Sequence, residues 1–446
     1  MNNTLSEVYN FIINTDFNDL PENSVKTAKL AFLDTIAVSL AGIGSEEMNI
    51  LSEELIGGSD LSLLERLKEA NEKDFALLFA TLSHVIDYDD VNFTFHGHPS
   101  VALIPPLLTY GKFQNELSGK ELILSYVIGF EVQARLGEDL GNAQYQRGMH
   151  VTSTLGIFGA AASLTKAMKL NFEQFSNLIG MCVSFSSGVR KNFGTMTKPL
   201  HVGIMASNVM LFANLVRKGF TSNPEAFSEP MSYSDVSTGS HNSLLAIKKL
   251  GEVWESADFG IIVKKYPCCA YTHRSIDSVI KLINDNDIDV SSITKVIAKV
   301  NPKVPTVLIY PNANTPAEGK FSMQYCLSAA IIDKEVNLNT FTQDRVDRSE
   351  IRVLMSKVEM EGDEAQIGVN KEQSASVTIY TADNVYHEMT EFPLGHPKNP
   401  LSEIQMFEKV ADIVNENITR DNKELLLSLP KFLQDKTSAD LLNMFS

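Results

Sequence analysis

The period of the apolar residues changes once along this chain of 446 residues, and that change limits the folds open to it. Up to about residue 255, apolar residues recur with a helical period of 3.6, for example in 25–40, 75–86, 120–136, 155–168 and 174–185. Several of these stretches are apolar nearly all round, which is typical of the central helices of a bundle. The first part of the chain is therefore predicted to form a large helical domain.

A strand-like pattern replaces the helical one after about residue 260. Residues 293–300 alternate, and the segments 376–381 and 385–392 flank the turn-forming sequence Ala382-Asp383-Asn384, which predicts a β-hairpin. Helix-like runs are interleaved with these strands, and a helical period returns from about residue 401. We interpret the final segment as docking onto the first helices, which makes the β-containing part an insertion.

These patterns give one expectation for the whole fold. The chain should be mainly α, with an all-helical domain built from residues 1–260 and 397–446. Residues 261–396 should form a smaller α+β lid domain.

Charge and motif content narrow the function. The chain has 38 Lys and Arg against 55 Asp and Glu, a formal net charge of -17, and no run of five basic residues, which argues against nucleic acid and anionic membranes as partners. No signal peptide or uncharged membrane span is evident, so a cytoplasmic protein is expected. The four cysteines lack Cys-x-x-Cys spacing, and no nucleotide-binding motif is complete. An enzyme built on this chain is expected to work with its side chains alone.

The segment from Asp87 to Ser100 places three carboxylates and two histidines between two apolar helices. Three interpretations stay open for it. It can be a solvated loop with a helix cap. It can be a metal site, because His96-x-His98 with Asp87 and Asp89 offers nitrogen and oxygen ligands. It can be an acid–base site in which a carboxylate orients a histidine.

Two further clusters carry positive charge in an otherwise acidic chain. The segment 190–201 contains three cations, one of which is Lys198, together with His201. Before it, His150 follows Tyr145 in a short polar segment. Pro199 at the first position of a helix would leave N–H groups able to receive an anion. The segment 264–274 repeats this pattern with Lys264, His273 and Arg274. Two separated cationic segments suggest a small polyanionic ligand.

Taken in order, these residues resemble the MmgE/PrpD family, which includes 2-methylcitrate dehydratase, cis-aconitate decarboxylase and an iminodisuccinate epimerase. The shared features are the acidic segment leading into His98-Pro99-Ser100, then Gly148-x-His150 with Thr152, Thr197-Lys198-Pro199-Leu200-His201-x-Gly203, Lys264-x-Tyr266-Pro267-Cys268 with His273, and Phe321-Ser322-Met323-Gln324-Tyr325. Val91 stands where family members often have a threonine, which leaves the exact substrate open.

The resemblance implies a helical domain built from both termini, a smaller lid, a homodimer and no metal or organic cofactor. It also implies an active site between the domains, built from Asp87, His98, His150, Lys198, Lys264 and Tyr325. The reactions of the family all form or quench a carbanion-like centre beside a carboxylate, which requires cations together with a placed acid and base.

The resulting hypothesis is a cofactor-independent lyase acting on a small di- or tricarboxylate, with 2-methylcitrate dehydration first and cis-aconitate decarboxylation or iminodisuccinate epimerisation as alternatives. The candidate catalytic residues are His98, Asp87, His150, Tyr325 and, for epimerisation, Tyr145. The candidate substrate-binding residues are Lys198, Lys264, His201, His273 and Arg274. A metal-dependent hydrolase using Asp87, Asp89, His96 and His98, or a non-catalytic polycarboxylate-binding protein, are alternatives of other classes.

Overall fold

The computed structural model describes residues 3–58, 60–225, 227–228, 230–240, 243–367, 373–414 and 420–445. Two compact units emerge from it. The first comprises Met1–Lys191, Thr197–Ile261 and Ile413–Ser446, and the second comprises Asn192–Met196 and Ile262–Asp412.

Helices form the described part of the first unit. They are α1 (Asn3–Asn14), α2 (Glu22–Ala41), α3 (Glu46–Ile56), α4 (Leu63–Glu69), α5 (Glu72–His84), α6 (Pro99–Phe113), α7 (Gly119–Leu136), α8 (Asn142–Gln146), α9 (Val151–Thr154), α10 (Gly156–Met168), α11 (Phe172–Phe185), α12 (Thr197–Arg217), α13 (Tyr233–Thr238) and α14 (Glu255–Asp258). Near the carboxyl end, α21 (Arg420–Phe432) and α22 (Ser438–Leu442) belong to the same unit. Ser118 caps the amino end of α7, because its side chain accepts the backbone N–H of Glu121.

Close helix packing builds the core of this unit. Helices α5 and α12 pack tightly, and a Cβ placed on Gly203 would lie 2.1 Å from the Thr81 hydroxyl, so only glycine allows this approach. Helix α21 packs against α2, and Phe445 meets Phe79 edge to face with ring centroids 5.1 Å apart.

By length and composition, α12 alone, or the bent pair α2 and α3 taken as one span, would be long and apolar enough to cross a membrane. In α12, however, 61% of the apolar window is buried inside the protein. Its apolar character is therefore that of a core helix.

The second unit contains a four-stranded sheet and several helices. The helices are α15 (Ala270–Asn286), α16 (Pro316–Gly319), α17 (Met323–Asp333), α18 (Gln343–Val346), α19 (Ser349–Met355) and α20 (Glu403–Val414), the last ending at the border of the units. The strands are β1 (Ile293–Val300), β2 (Val358–Gly362), β3 (Ala375–Thr381) and β4 (Val385–Thr390), in the order β2-β1-β3-β4.

The sheet is mixed. Strand β1 pairs with β2 in parallel and with β3 antiparallel, and β3 pairs with β4 as a hairpin in which Tyr380 lies opposite Val385. The predictions of a strand at 293–300 and of the hairpin are confirmed. Strand β2 was not predicted, because its residues read Val-Glu-Met-Glu-Gly and are largely exposed at the edge of the sheet.

The predicted fold class, mainly α with a small α+β part, is confirmed. The division at residues 260 and 397 into a body and a lid stays a prediction, because a lid is defined by movement.

Candidate active site

Four histidines gather at the ends of helices in the first unit. His84 is the last residue of α5, His98 precedes the first residue of α6, His150 precedes the first residue of α9, and His201 lies in the first turns of α12. Their rings are neighbours: the centroids are 4.7 Å apart for His84 and His98, 5.6 Å for His84 and His150, and 5.3 Å for His150 and His201.

The segment between α5 and α6 turns back on itself and so brings its carboxylates to these rings. Asp87 adopts a left-handed backbone conformation with φ 55°, which an aspartate tolerates better than most residues. Asn92 closes the next turn, because its side-chain oxygen accepts the N–H of Phe95 at 2.6 Å. The backbone N–H of His98 then donates to the Thr152 hydroxyl at 3.1 Å, which fixes the segment to α9.

Asp89 joins two of the histidines. Its Oδ2 lies 2.8 Å from Nδ1 of His84 and 2.9 Å from Nδ1 of His98. Burial favours the neutral acid, but the contacts with His84 and His98 prevail and hold the pKa of Asp89 well below its usual range. An ionised Asp89 favours a proton on the Nδ1 atom of each ring that faces it.

Nε2 of His98 faces an ion pair. Lys198 Nζ lies 2.5 Å from Asp87 Oδ1, and the same oxygen lies 3.8 Å from Nε2 of His98. Lys198 is 3% exposed, so the pair is largely removed from water. His98 occupies the N-cap position of α6, but its side chain makes no capping hydrogen bond. The ring is thus held by carboxylates and does not serve as a helix cap.

His150 and His201 form a second linked pair. Their Nδ1 atoms lie 3.0 Å apart, and the backbone N–H of His150 donates to the carbonyl of Gly188 at 3.0 Å. Burial lowers the pKa of His150 well below its usual range, and nearby His84 and Lys198 act in the same direction. Burial, followed by Lys198, also lowers the pKa of His201.

The two parts of the chain match two family models. Residues 6–244 match the MmgE/PrpD N-terminal domain, and residues 266–430 match the MmgE/PrpD C-terminal domain. The chain belongs to the MmgE/PrpD family. The resemblance seen in the sequence is therefore confirmed.

This MmgE/PrpD protein is similar to cis-aconitate decarboxylases along nearly its whole length. The human protein of that name is 24% identical over 442 residues, which cover 95% of this chain and 90% of the human one. The Aspergillus terreus protein of that name is 21% identical over 470 residues, covering 98% of this chain and 95% of the fungal one.

Four of the predicted site residues of this MmgE/PrpD protein lie in its second unit. Tyr325 is fully buried in α17, and its hydroxyl donates to the Thr340 carbonyl. Lys264 is buried in the segment before α15. His273 contacts the Cys268 carbonyl through Nε2 at 3.2 Å, and Arg274 donates from Nε to the Glu391 carbonyl at 2.9 Å. The roles of these four residues stay predictions.

Tyr145 and Pro199 belong to the first unit. The Arg190 guanidinium carbon lies 3.9 Å from the centroid of the Tyr145 ring, a cation–π contact. Helix α12 begins at Thr197, so Pro199 is its third residue, and the prediction that Pro199 occupies the first position is wrong.

The structure changes the set of residues that could form the predicted metal site. Within the described residues, the group whose ligand atoms lie within 4.8 Å of one another is His84, Asp89 and His98. His96 instead faces Gly141, where an added Cβ would lie 2.7 Å from its ring. Nδ1 of His84 is hydrogen-bonded to Asp89 Oδ2 at 2.8 Å, so a metal ion bound by this group would have to displace that hydrogen bond.

Sequence reasoning missed His84 and the position of Asp89 at the centre of the cluster. His84 lies five residues before Asp89 at the end of an apolar helix, where a histidine is easily assigned to the core. The available signal was a polar residue on the last turn of an apolar helix, directly followed by an acidic turn.

Proposed function

We propose that this MmgE/PrpD protein is a cofactor-independent lyase that acts beside a carboxylate group of a small di- or tricarboxylate. The observation that carries the proposal is the position of His98, whose Nδ1 is held by Asp89 while its Nε2 faces the Asp87–Lys198 pair. Family membership and the similarity to cis-aconitate decarboxylases support the same class of reaction.

In this proposal, His98 moves the proton. When a C–C bond to a carboxylate breaks, that carboxylate leaves as CO2, and the electron pair stays on carbon and is delocalised into a neighbouring carboxylate. A new C–H bond then forms as the Nε2–H bond of protonated His98 breaks. Asp89 stabilises the imidazolium before the transfer, because it is ionised and 2.9 Å from Nδ1. In a dehydration, the unprotonated Nε2 would instead remove the proton from carbon while the adjacent C–O bond breaks, and the leaving hydroxyl group would take a proton from solvent to become water.

Lys198 and Lys264 are the proposed partners of the substrate carboxylates. A substrate carboxylate can take the place of Asp87 beside Lys198, because both offer the same oxygen donors. An ammonium group beside the reacting carbon also stabilises the charge that develops there.

The first reaction to test is decarboxylation of cis-aconitate, because the similar proteins carry that name. Dehydration of 2-methylcitrate and of citrate follows. Purified protein should turn over at least one of these compounds in the presence of a chelator. Absence of turnover with the whole panel, or activity that the chelator abolishes, would reject the proposal.

His98→Ala tests the role of His98 directly. We expect turnover to fall about 100-fold or more, the usual scale for a placed acid or base, with nearly unchanged ligand affinity. His387→Ala on the exposed face of β4 is the matched control and should keep full activity. A His98→Ala protein that melts at the wild-type temperature and keeps its turnover would remove His98 from the mechanism.

Epimerisation of an imino- or amino-dicarboxylate is the second candidate. It requires one group to remove a proton and another to return it on the opposite face of the carbon. His98 is in ion-pair contact with Asp89, whereas His150 is hydrogen-bonded to His201, which favours two separate proton-transfer groups. Incorporation of solvent deuterium into unconsumed iminodisuccinate would support this candidate, and a panel in which only decarboxylation occurs would exclude it.

We also propose, from family membership, that the protein is a cytoplasmic homodimer. Sedimentation of the purified chain at micromolar concentration tests the dimer. A monomer alone under those conditions would contradict it.

A further inference from the structure

The contact between His150 and His201 requires that the two rings share a proton. A distance of 3.0 Å between two Nδ1 atoms is that of a hydrogen bond, and a hydrogen bond between two such atoms needs one proton between them. One ring therefore carries its proton on Nδ1 while the other presents a lone pair there. In the neutral pair, the ring that carries its proton on Nδ1 has none on Nε2, and the other ring carries its proton on Nε2.

The two rings differ in exposure. His150 is 2% exposed, whereas His201 is partly exposed on α12, and Ile204 one turn further along is 40% exposed. His201 therefore connects a buried ring with the surface of its helix. Gly188 lies beside both members, because its carbonyl accepts the His150 N–H and a Cβ at Gly188 would lie 3.3 Å from Nδ1 of His201.

The surroundings of this pair disfavour an imidazolium. The charged and titratable groups that influence His150 are His84 from α5, His98 from the N-terminus of α6, and Lys198 and His201 from α12. Each of them makes a positive charge on His150 less favourable. This differs from His98, which has Asp89 beside it. The pair of His150 and His201 is therefore expected to be neutral.

We propose that His201 relays protons from solvent to His150, so that neutral His150 can return a proton to the carbanion-like centre of a polycarboxylate after His98 has removed one. This inference rests on the proposed function. In the starting state Nδ1–H of His201 donates to Nδ1 of His150, and Nε2 of His150 carries a proton.

The proton transfer consists of three coupled steps, and in each step one bond to hydrogen breaks as another forms. The Nε2–H bond of His150 breaks as the substrate C–H bond forms. The Nδ1–H bond of His201 breaks as the Nδ1–H bond of His150 forms. A solvent O–H bond breaks as the Nε2–H bond of His201 forms. One proton passes from solvent to substrate, and neither ring becomes charged at the end. The reverse transfer, with water at Nε2 of His150 after product release, restores the starting state.

Two substitutions of His201 test the relay in the full-length protein. His201→Gln keeps a side-chain amide that can hydrogen-bond to His150 but cannot pass a proton, and turnover should fall about 10- to 100-fold at a wild-type melting temperature. Turnover of His201→Ala should fall by a similar factor. Added imidazole should restore it, because imidazole has both a donor and an acceptor nitrogen.

1-Methylimidazole, which fills the same space but cannot pass a proton between its nitrogens, should not restore turnover of His201→Ala. His387→Ala is the control and should be active and insensitive to both compounds. Wild-type turnover of His201→Gln, equal rescue of His201→Ala by both compounds, or rescue by neither would each overturn the relay.

A measurement without substrate separates this inference from the proposed function. In wild-type protein with ¹⁵N-labelled histidine, one proton should correlate with Nδ1 of both His150 and His201. If both Nδ1 atoms prove unprotonated, the relay is overturned whatever the protein catalyses. If the shared proton is found but no polycarboxylate is turned over, the proposed function fails, and the relay to a polycarboxylate fails with it.

Discussion

Asp89→Asn removes the negative charge that two histidines share, with almost no change in shape. In the wild type, Asp89 Oδ2 lies 2.9 Å from Nδ1 of His98. Opposite unit charges at that distance interact by roughly 6 kcal/mol at an effective dielectric constant of about 20. This interaction is complete only when His98 is protonated, which in the proposed mechanism is the proton-donating form.

An amide retains part of this interaction through its dipole and its hydrogen bond. If about half is lost, the barrier rises by about 3 kcal/mol, which lowers turnover about 100-fold, and complete loss would lower it by about 10⁴. The assay is turnover of whichever polycarboxylate the wild type consumes, normalised to the folded fraction from thermal unfolding.

Asp90→Asn is the matched control, because Asp90 is the adjacent buried carboxyl group. Burial raises the pKa of Asp90 well above its usual range, which favours the neutral form of this group. Its partner is the Ser100 hydroxyl, which also contacts the Tyr126 hydroxyl at 2.9 Å and can reorient toward an amide. Turnover should change less than about 10-fold. Equal losses in both variants, or full activity of Asp89→Asn, would refute the reasoning.

Three further outcomes are expected. Lys198→Ala should raise KM and lower kcat together, because a cation on a carboxylate binds both substrate and transition state; steady-state kinetics with unchanged KM would contradict this. Burial lowers the pKa of His84 to about 3, so the folded protein keeps this ring neutral. Between pH 6.5 and 5, the free energy of unfolding of the wild type should therefore fall by about 2 kcal/mol more than that of His84→Gln. Urea unfolding at each pH measures this difference. Gly188→Ala should lower the free energy of unfolding by about 1–3 kcal/mol, because φ is +129° and the added Cβ would lie 2.5 Å from the Ser153 hydroxyl; an unchanged Tm would contradict it.

The sequence predicted the regular parts of the fold because each depends on a local pattern. Residues 293–300 alternate and form β1 over the same range, and Ser118 caps α7 as its neighbours indicate. Strand β2 was not predicted, because an edge strand with exposed glutamates has little apolar alternation. Its pairing with β1 depends on residues about 60 positions away, which no local pattern records.

The candidate site was predictable in its residue types but not in its pairings. His98, His150, Lys198 and His201 were identified from polar residues at the ends of apolar helices. The sequence could not show that His201 meets His150 across 51 positions. It also left open which carboxylate orients His98, and in the structure Asp89 is the nearer one. The chain turns at Asp87 with φ 55°, and such a turn is a property of the folded chain.

The packing of the last helices on the first has a consequence for how the protein is made. Leu426 and Leu429 of α21 are fully buried, α21 packs on α2, and Phe445 meets Phe79. During synthesis, the apolar faces of α2 and α5 emerge from the ribosome hundreds of residues before these partners exist. At about 5–20 residues per second, those faces stay uncovered for tens of seconds. The helical unit therefore completes its core only after α21 and Phe445 have left the ribosome, which leaves the apolar faces of α2 and α5 open to chaperones until then.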